Sequence, residues 1–214
     1  MREVQQERAI ATRQHLIVSA AAVFDAEGFV GASLGKIVKE AGTTRGALHF
    51  HFPAKESLAI AVLREHNDRM TAVVERITQG EGSALEQIVD ISRTTARMID
   101  KDIVVRAGTR LLMELTYTGD LPLAYRMWID ACEDKVRKAI EDGDIVPAVS
   151  PEAVAYLVIS SLAGVEMVSS VVSGRDDLDR RVEEMWEILL LGLVPADRKW
   201  KVAGLLASGA REET

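Results

Sequence analysis

Residues 33–55 read SLGKIVKEAGTTRGALHFHFPAK, and the spacing inside this stretch decides the fold. Ser33 is a good N-cap for a short helix over 34–41, whose apolar positions Leu34, Ile37, Val38 and Ala41 follow i, i+3, i+4 and i+7. Gly42 stops that helix. Thr43 or Thr44 then caps a second short helix from Arg45 to about His51, which Phe52-Pro53 ends because proline lacks an N–H and has a fixed φ. Leu48 and Phe52, four apart, share the inward face, with Ile37 and Val38 packed beneath them. Thr44, Arg45 and His49 then point outward. Two short helices joined by Ala41-Gly42-Thr43-Thr44 have the arrangement of a DNA-reading helix-turn-helix. The same pair serves as plain scaffold in many helical domains, and spacing alone divides the two readings evenly.

The outward residues suit nucleic acid. Arg45, near a helix start, carries a planar fork that reaches a guanine edge or a phosphate with two hydrogen bonds. Gly46 has no side chain and lets the backbone approach DNA. Free N–H groups beside Ser33 and Thr44 are phosphate donors that fix docking register.

Working outward, helical periodicity continues almost from end to end, and the sequence predicts an all-α protein. A first helix is expected over about 8–27, with Ile10, Ile17, Ala21 and Phe24 on one face and Gly28 ending it. After Pro53 a long amphipathic helix is expected over 55–78. Gly80-Glu81-Gly82 reads as a break between head and body, and helices are expected near 84–99, 102–115, 121–141, 151–172, 178–193 and 196–206. The functional division expected is 1–54 for a three-helix DNA-binding head and 55–214 for a helical effector-binding and dimerisation domain.

Composition narrows the classes. The chain has 214 residues, 48% hydrophobic and 28% charged, enough for a sizeable core. Its net charge of −7 argues against nonspecific coating of nucleic acid, yet residues 1–70 net +1 and the remainder −8. An acidic body with a locally positive head is compatible with DNA binding at one end. The lone Cys132 fits a reducing cytoplasm. The longest apolar segment, 153–172, carries Glu166 and several serines and reads as a buried helix, so no membrane partner is expected.

Phe24-Asp25-Ala26-Glu27-Gly28-Phe29, Ser33-Leu34-Gly35-Lys36-Ile37-Val38 and Ala41 through Phe52, continued by Pro53-Ala54-Lys55-Glu56-Ser57-Leu58, resemble the TetR family signature. The match covers about the first quarter of the chain and the combination is specific. It implies DNA contact through Ser33, Lys36, Thr43, Thr44, Arg45, Gly46, Ala47, His49, Phe50, His51 and Lys55. Where the family usually has tyrosine this chain has His49, so an imidazole stands where a phenol would touch phosphate.

Further along, Arg106-Ala107-Gly108-Thr109-Arg110-Leu111, Trp128 and Glu184 through Pro195 are similar to the γ-butyrolactone autoregulator receptors of antibiotic-producing actinomycetes. This implies a repressor that binds double-stranded, pseudo-palindromic operator DNA as a homodimer. The resemblance further implies release by a γ-butyrolactone or butenolide-type autoregulator and control of antibiotic biosynthesis. The resemblance places Trp128 in the effector pocket; without it, a core tryptophan is the stronger reading. Asn67, Ser160, Ser161, Leu85, Ile88, Leu111 and Leu112 are further pocket candidates; the alternative is solvent exposure for Asn67, a helix back-bond for the serines and ordinary core packing for the rest. Trp186, its apolar neighbours and the helix over 154–171 are expected to form a dimer interface.

Catalysis finds little support. His49 and His51, two apart on a helix, do not share a face and make a poor metal pair, and Cys132 has no histidine nearby in sequence. No cofactor, metal or catalytic residue is expected. Two rivals remain: a TetR-like multidrug sensor controlling an efflux gene, and a helical adaptor that senses a metabolite without touching DNA.

Overall fold

A computed structural model describes residues 2–115 and 122–207, and the side chains of 6–115 and 125–206 within them. Among the described residues there are helices and connections but no strand. The chain packs as two compact units, residues 1–72 with 101–121 and residues 73–100 with 122–214. This packing division lies elsewhere than the functional boundary expected after residue 54.

The first unit begins with α1 (Arg2–Gly31), longer than expected at both ends. Gly28 breaks helical geometry as predicted, at φ 72 and ψ 176, but Ala32 N–H still donates to Gly28 C=O at 3.1 Å and the chain coils once more. Ile10, placed on the apolar face from sequence, is exposed; the buried stripe is Leu16, Ile17, Ala20, Ala21, Val23 and Phe24. Ile10 lies seven residues before Ile17, about 20° round the helix, so it keeps the stripe's direction but belongs to a stretch, residues 6–15, in which no residue is buried.

After α1 come α2 (Leu34–Glu40), α3 (Arg45–His51) and α4 (Lys55–Gln79), close to the predicted bounds. Ser33 Oγ accepts from Lys36 N–H at 3.3 Å and Thr44 Oγ1 from Ala47 N–H at 3.2 Å, so both predicted caps are made. Gly42 turns the chain at φ 56, a left-handed geometry that glycine reaches without strain. Ile37, Leu48, Phe52, Leu58 and Val62 join α1's stripe in one core. The same core takes Val104, Ala107 and Leu111 from α6 (Ile103–Leu115), which runs along α1.

The second unit contains α5 (Ala84–Lys101), α7 (Pro122–Glu141), α8 (Pro151–Ser173), α9 (Leu178–Leu193), a 3-10 turn (Ala196–Arg198) and α10 (Trp200–Ala207), with Lys101 itself falling in the first unit. Leu121, expected to open the helix before Glu141, lies outside the described residues. Ser83 and Glu86 start α5 with a reciprocal capping box: Ser83 N–H donates to Glu86 Oε2 at 2.6 Å, and Glu86 N–H to Ser83 Oγ at 3.3 Å. Arg93, buried in α5, donates to Glu183 at 2.6 Å and to the C=O groups of Leu205 at 2.8 Å and Leu206 at 3.2 Å. That one guanidinium gives α10 its seat by satisfying carbonyls at its C-terminal end.

Two sequence expectations change here. The helix over 153–172 is not buried within the chain: only 28% of its most apolar stretch is. By length and composition α8 is apolar enough to cross a membrane. Its outward residues Tyr156, Leu157, Met167, Val168, Val171 and Val172 are exposed, so a helix that is apolar all round has a face left over. Trp186 is the reverse case. Expected at a dimer interface, it is fully buried in its own chain, and the exposed apolar residues of α9 are Ile188 and Leu191.

Candidate nucleic-acid and effector sites

The first unit presents α3 with its chemistry outward. Leu48 is buried at 0% exposure, whereas Phe50 is 82% exposed. Arg45, Gly46, His49 and Phe50 are all exposed, with Ala47 and His51 half-buried. Positions 45, 46, 49 and 50 are one helix face, and it carries a guanidinium, a bare backbone, an imidazole and a phenyl ring. Only the Thr44 hydroxyl comes within 4 Å of a Cβ built on Gly46, so intrachain packing does not require glycine there. Phe50 packs edge-on to His51 at 5.1 Å between centroids, and Arg13 lies over the Phe52 ring at 5.2 Å.

The remaining DNA candidates are placed differently. The caps consume the N–H groups of Lys36 and Ala47, so only the N–H groups ahead of them stay open to phosphate. Lys36 Nζ pairs with Glu27 at 2.6 Å and remains half in solvent. Lys55 Nζ is held by the C=O groups of Phe29 at 2.6 Å and Ala32 at 2.9 Å and lies over the Phe29 ring at 4.5 Å. Its charge thus stabilises the end of α1. Thr43 is half-buried in the turn, where its N–H donates to Val38 C=O at 3.2 Å.

Of the effector candidates, Trp128 is half-buried on α7, edge-on to Tyr125 at 5.6 Å. Burial, and secondarily the Glu166 carboxylate, push the Tyr125 phenol above its ordinary value. Ser160 is exposed and its hydroxyl donates to Leu157 C=O at 3.2 Å, the back-bond alternative; Ser161 is half-buried. Leu85 and Ile88 are buried in the second unit. Leu85 also lines a cavity of about 330 Å³ with Ser83, Glu86, Asp144, Val194, Trp200 and Lys201 among others. Asp144 is buried there; burial alone raises its pKa, but hydrogen bonds from Lys201 and Arg198 outweigh that and hold it below the carboxylate range. Asn67 is half-buried on α4, while Leu111 and Leu112 are buried in the first unit, Leu111 in the core beneath α1.

Sequence reasoning missed several buried polar groups. His66 sits on α4 with Nδ1 at 3.1 Å from Val105 C=O, and burial lowers its pKa to about 4. Glu166, 4% exposed, pairs with Arg175 at 3.0 Å. A charge on the inward face of an apolar helix was a signal, but its partner lies across a turn that spacing does not reveal. Among the described residues no three His, Cys, Asp or Glu side chains cluster as a metal set.

A capped short helix seated on another across a glycine turn, with arginine, histidine and phenylalanine facing out, defines a helix-turn-helix DNA-binding regulator. Residues 16–62 match the bacterial regulatory proteins of the tetR family and residues 82–195 the tetracyclin repressor-like C-terminal domain. The chain belongs to the tetR family. It is a ligand-responsive, DNA-binding transcription repressor of that type.

Among relatives, the A-factor receptor protein of Streptomyces griseus is 36% identical over 186 residues, 87% of this chain, and this chain spans 65% of that protein's length. The crystal structure of a gamma-butyrolactone receptor (ArpA-like protein) superposes with a TM-score of 0.84 at 31% identity, covering 96% of this chain and 99% of that one. The CprB protein of Streptomyces coelicolor, solved with its biological operator sequence, gives 0.84 at 30% identity over 96% and 99%.

Proposed function

We propose that this chain is an autoregulator receptor: a homodimeric repressor that binds a pseudo-palindromic operator and lets go when a γ-butyrolactone or butenolide-type molecule enters its C-terminal region. Residues 1–54 read DNA and residues 55–214 hold the effector and pair the subunits. The observation that carries the reading is the 36% identity to the A-factor receptor protein over 87% of the chain, which spans both the reading head and the body. The outward face of α3 supports the DNA half, because a large phenyl ring and an arginine held in solvent by a packed Leu48 suit base edges and phosphates. Trp128, half-buried beside Tyr125, supports the effector half as a flat apolar wall for a small lactone. The uncovered apolar face of α8, with Ile188 and Leu191 of α9, supports pairing with a second copy through a helix bundle. The regulated genes are those of antibiotic biosynthesis.

Release requires the effector to bind the DNA-incompatible state more tightly, and a hundredfold difference corresponds to about 2.7 kcal/mol of coupling. The test is binding to DNA upstream of the chain's own gene, with an organic extract of the producing culture titrated in. Reversal by the extract, lost in Trp128→Ala while DNA binding persists, is the expected result. Equal effector affinity with and without operator overturns the switch.

A further inference from the structure

The end of α1 carries a contact that the DNA and effector readings leave unused. Phe29 comes directly after Gly28, and its backbone is held on both sides by charge. Its N–H donates to Glu114 Oε2 of α6 at 2.6 Å, and its C=O accepts from Lys55 Nζ, the first residue of α4, at 2.6 Å. Arg110 Nε braces the other Glu114 oxygen at 2.7 Å and the same guanidinium donates to Asp25 C=O. Arg106 Nε pairs with Asp25 Oδ2 at 3.0 Å. Arg106, Arg110 and Glu114 therefore stand one turn apart on α6 and grip the last turn of α1 as a row.

The fit is close. A Cβ on Gly28 would lie 2.4 Å from Glu114 Oε1 and 2.9 Å from Arg110 Nη2, and Gly28 also needs φ 72. The clamp leads straight into the reading head: Ala32 C=O takes the second Lys55 bond, Ser33 caps α2, and Lys36 of α2 returns to Glu27 at 2.6 Å. The stretch of backbone from which α2 leaves α1 is thus gripped by a carboxylate from α6 and an ammonium from α4. Hydrogen bonds with one ionised partner are roughly twice as strong as neutral ones, and Phe29 makes one through its N–H and one through its C=O, fixing the two peptide groups that flank it.

We infer that Glu114 is a positioning residue for DNA reading: from α6 it locks, together with Lys55, the Phe29 backbone and so fixes the pitch at which α3 meets the groove. The inference rests on the DNA-binding reading of the head. It assigns Glu114 an effect on operator affinity without any phosphate or base contact.

The test selects a binding duplex from a randomised pool with the wild-type protein. Affinity for that duplex is then measured across salt concentrations for Glu114→Ala, Glu114→Gln, Gly28→Ala and the Gly28→Ala/Glu114→Ala pair. Thermal unfolding of each variant is followed alongside, and Glu114→Gln, which keeps an acceptor, serves where Glu114→Ala does not fold. The expected result is an affinity loss of about tenfold for Glu114→Ala, with the slope of affinity against salt unchanged because no phosphate contact is removed. The double variant should bind no worse than Gly28→Ala alone, since truncating Glu114 clears the cradle that the new Cβ invades. Unchanged affinity in both Glu114 variants, a reduced salt slope, or additive losses in the pair would each overturn the inference while leaving the DNA reading intact. A wild-type protein that selects no duplex overturns the DNA reading and the inference together.

Discussion

Gly108 of α6 meets His66 of α4 so closely that a Cβ on residue 108 would stand 2.4 Å from His66 Cβ and Cγ. Backbone approach this tight makes the α4–α6 crossing a packed joint with no slack. Val105 C=O, one turn before Gly108, accepts from His66 Nδ1 at 3.1 Å and fixes the ring. Gly108→Ala should force the helices apart and cost about 1–3 kcal/mol, the usual range for overpacking. Urea unfolding measures it; a midpoint equal to wild type would show that the joint yields.

The same imidazole makes stability depend on acid. Burial lowers its folded pKa to about 4, against 6.5 in the unfolded chain. Between those values the unfolded state binds a proton that the folded state refuses. His66 therefore contributes fully above pH 6.5, and its contribution falls away as pH drops from 6.5 to 4, by roughly 3 kcal/mol in total. His66→Gln should flatten that part of the melting-temperature profile. An unaltered profile in the variant would assign the acid sensitivity to other groups.

Arg45 is exposed on the outward face of α3 and the structure gives it no role in the core. Arg45→Ala should weaken operator binding, lower the salt slope by about one if its partner is a phosphate, and leave it unchanged if its partner is a base edge. Affinity for operator equal to wild type at all salt concentrations would remove Arg45 from the reading face.

Glu166 and Arg175 form an ion pair whose side chains are 5% and 18% exposed. Arg175 also holds a left-handed backbone at φ 78, rare for a residue with a side chain. Arg175→Ala strands a buried carboxylate and should cost about 3–5 kcal/mol. Arg175→Gly loses the same pair but relieves the backbone, so it should be less damaging by about 1 kcal/mol. Denaturant midpoints with unchanged m-values would report both; equal losses would show that the backbone stores no strain.

Val171 and Val172, on the outer face of α8, are 83% and 75% exposed in a single chain. If that face pairs with a second copy, Val171→Glu should shift the protein from dimer to monomer in sedimentation while each chain stays helical. Dimers that survive the change would locate the pairing surface elsewhere.

Much of this architecture is legible from spacing. Ser33, Gly42, Thr44 and Pro53 mark helix ends by chemistry that acts within four residues, and the apolar repeat of Ile37, Leu48 and Phe52 shows which faces turn inward. Local rules of that kind are written into the chain, so helix order and the outward face of α3 can be read from the sequence alone. The long-range placements cannot. The resemblance assigns Lys55 to DNA contact, and nothing in its spacing shows that its ammonium closes the end of α1, because Phe29, 26 residues earlier, is brought to it by folding. Trp186 and the outer residues of α8 are equally apolar in sequence, and packing alone buries one and leaves the others in solvent.

Composition and periodicity thus suffice for an all-α chain with two short capped helices joined at Gly42, since capping, turn formation and amphipathicity are nearest-neighbour physics, while the choice of DNA regulator over plain scaffold rests on the family resemblance. Which charges meet, such as Glu114 with the Phe29 peptide or Glu166 with Arg175, and which apolar faces remain uncovered depend on helix crossings. No single segment encodes those crossings, because each is a balance of packing between residues far apart in the chain.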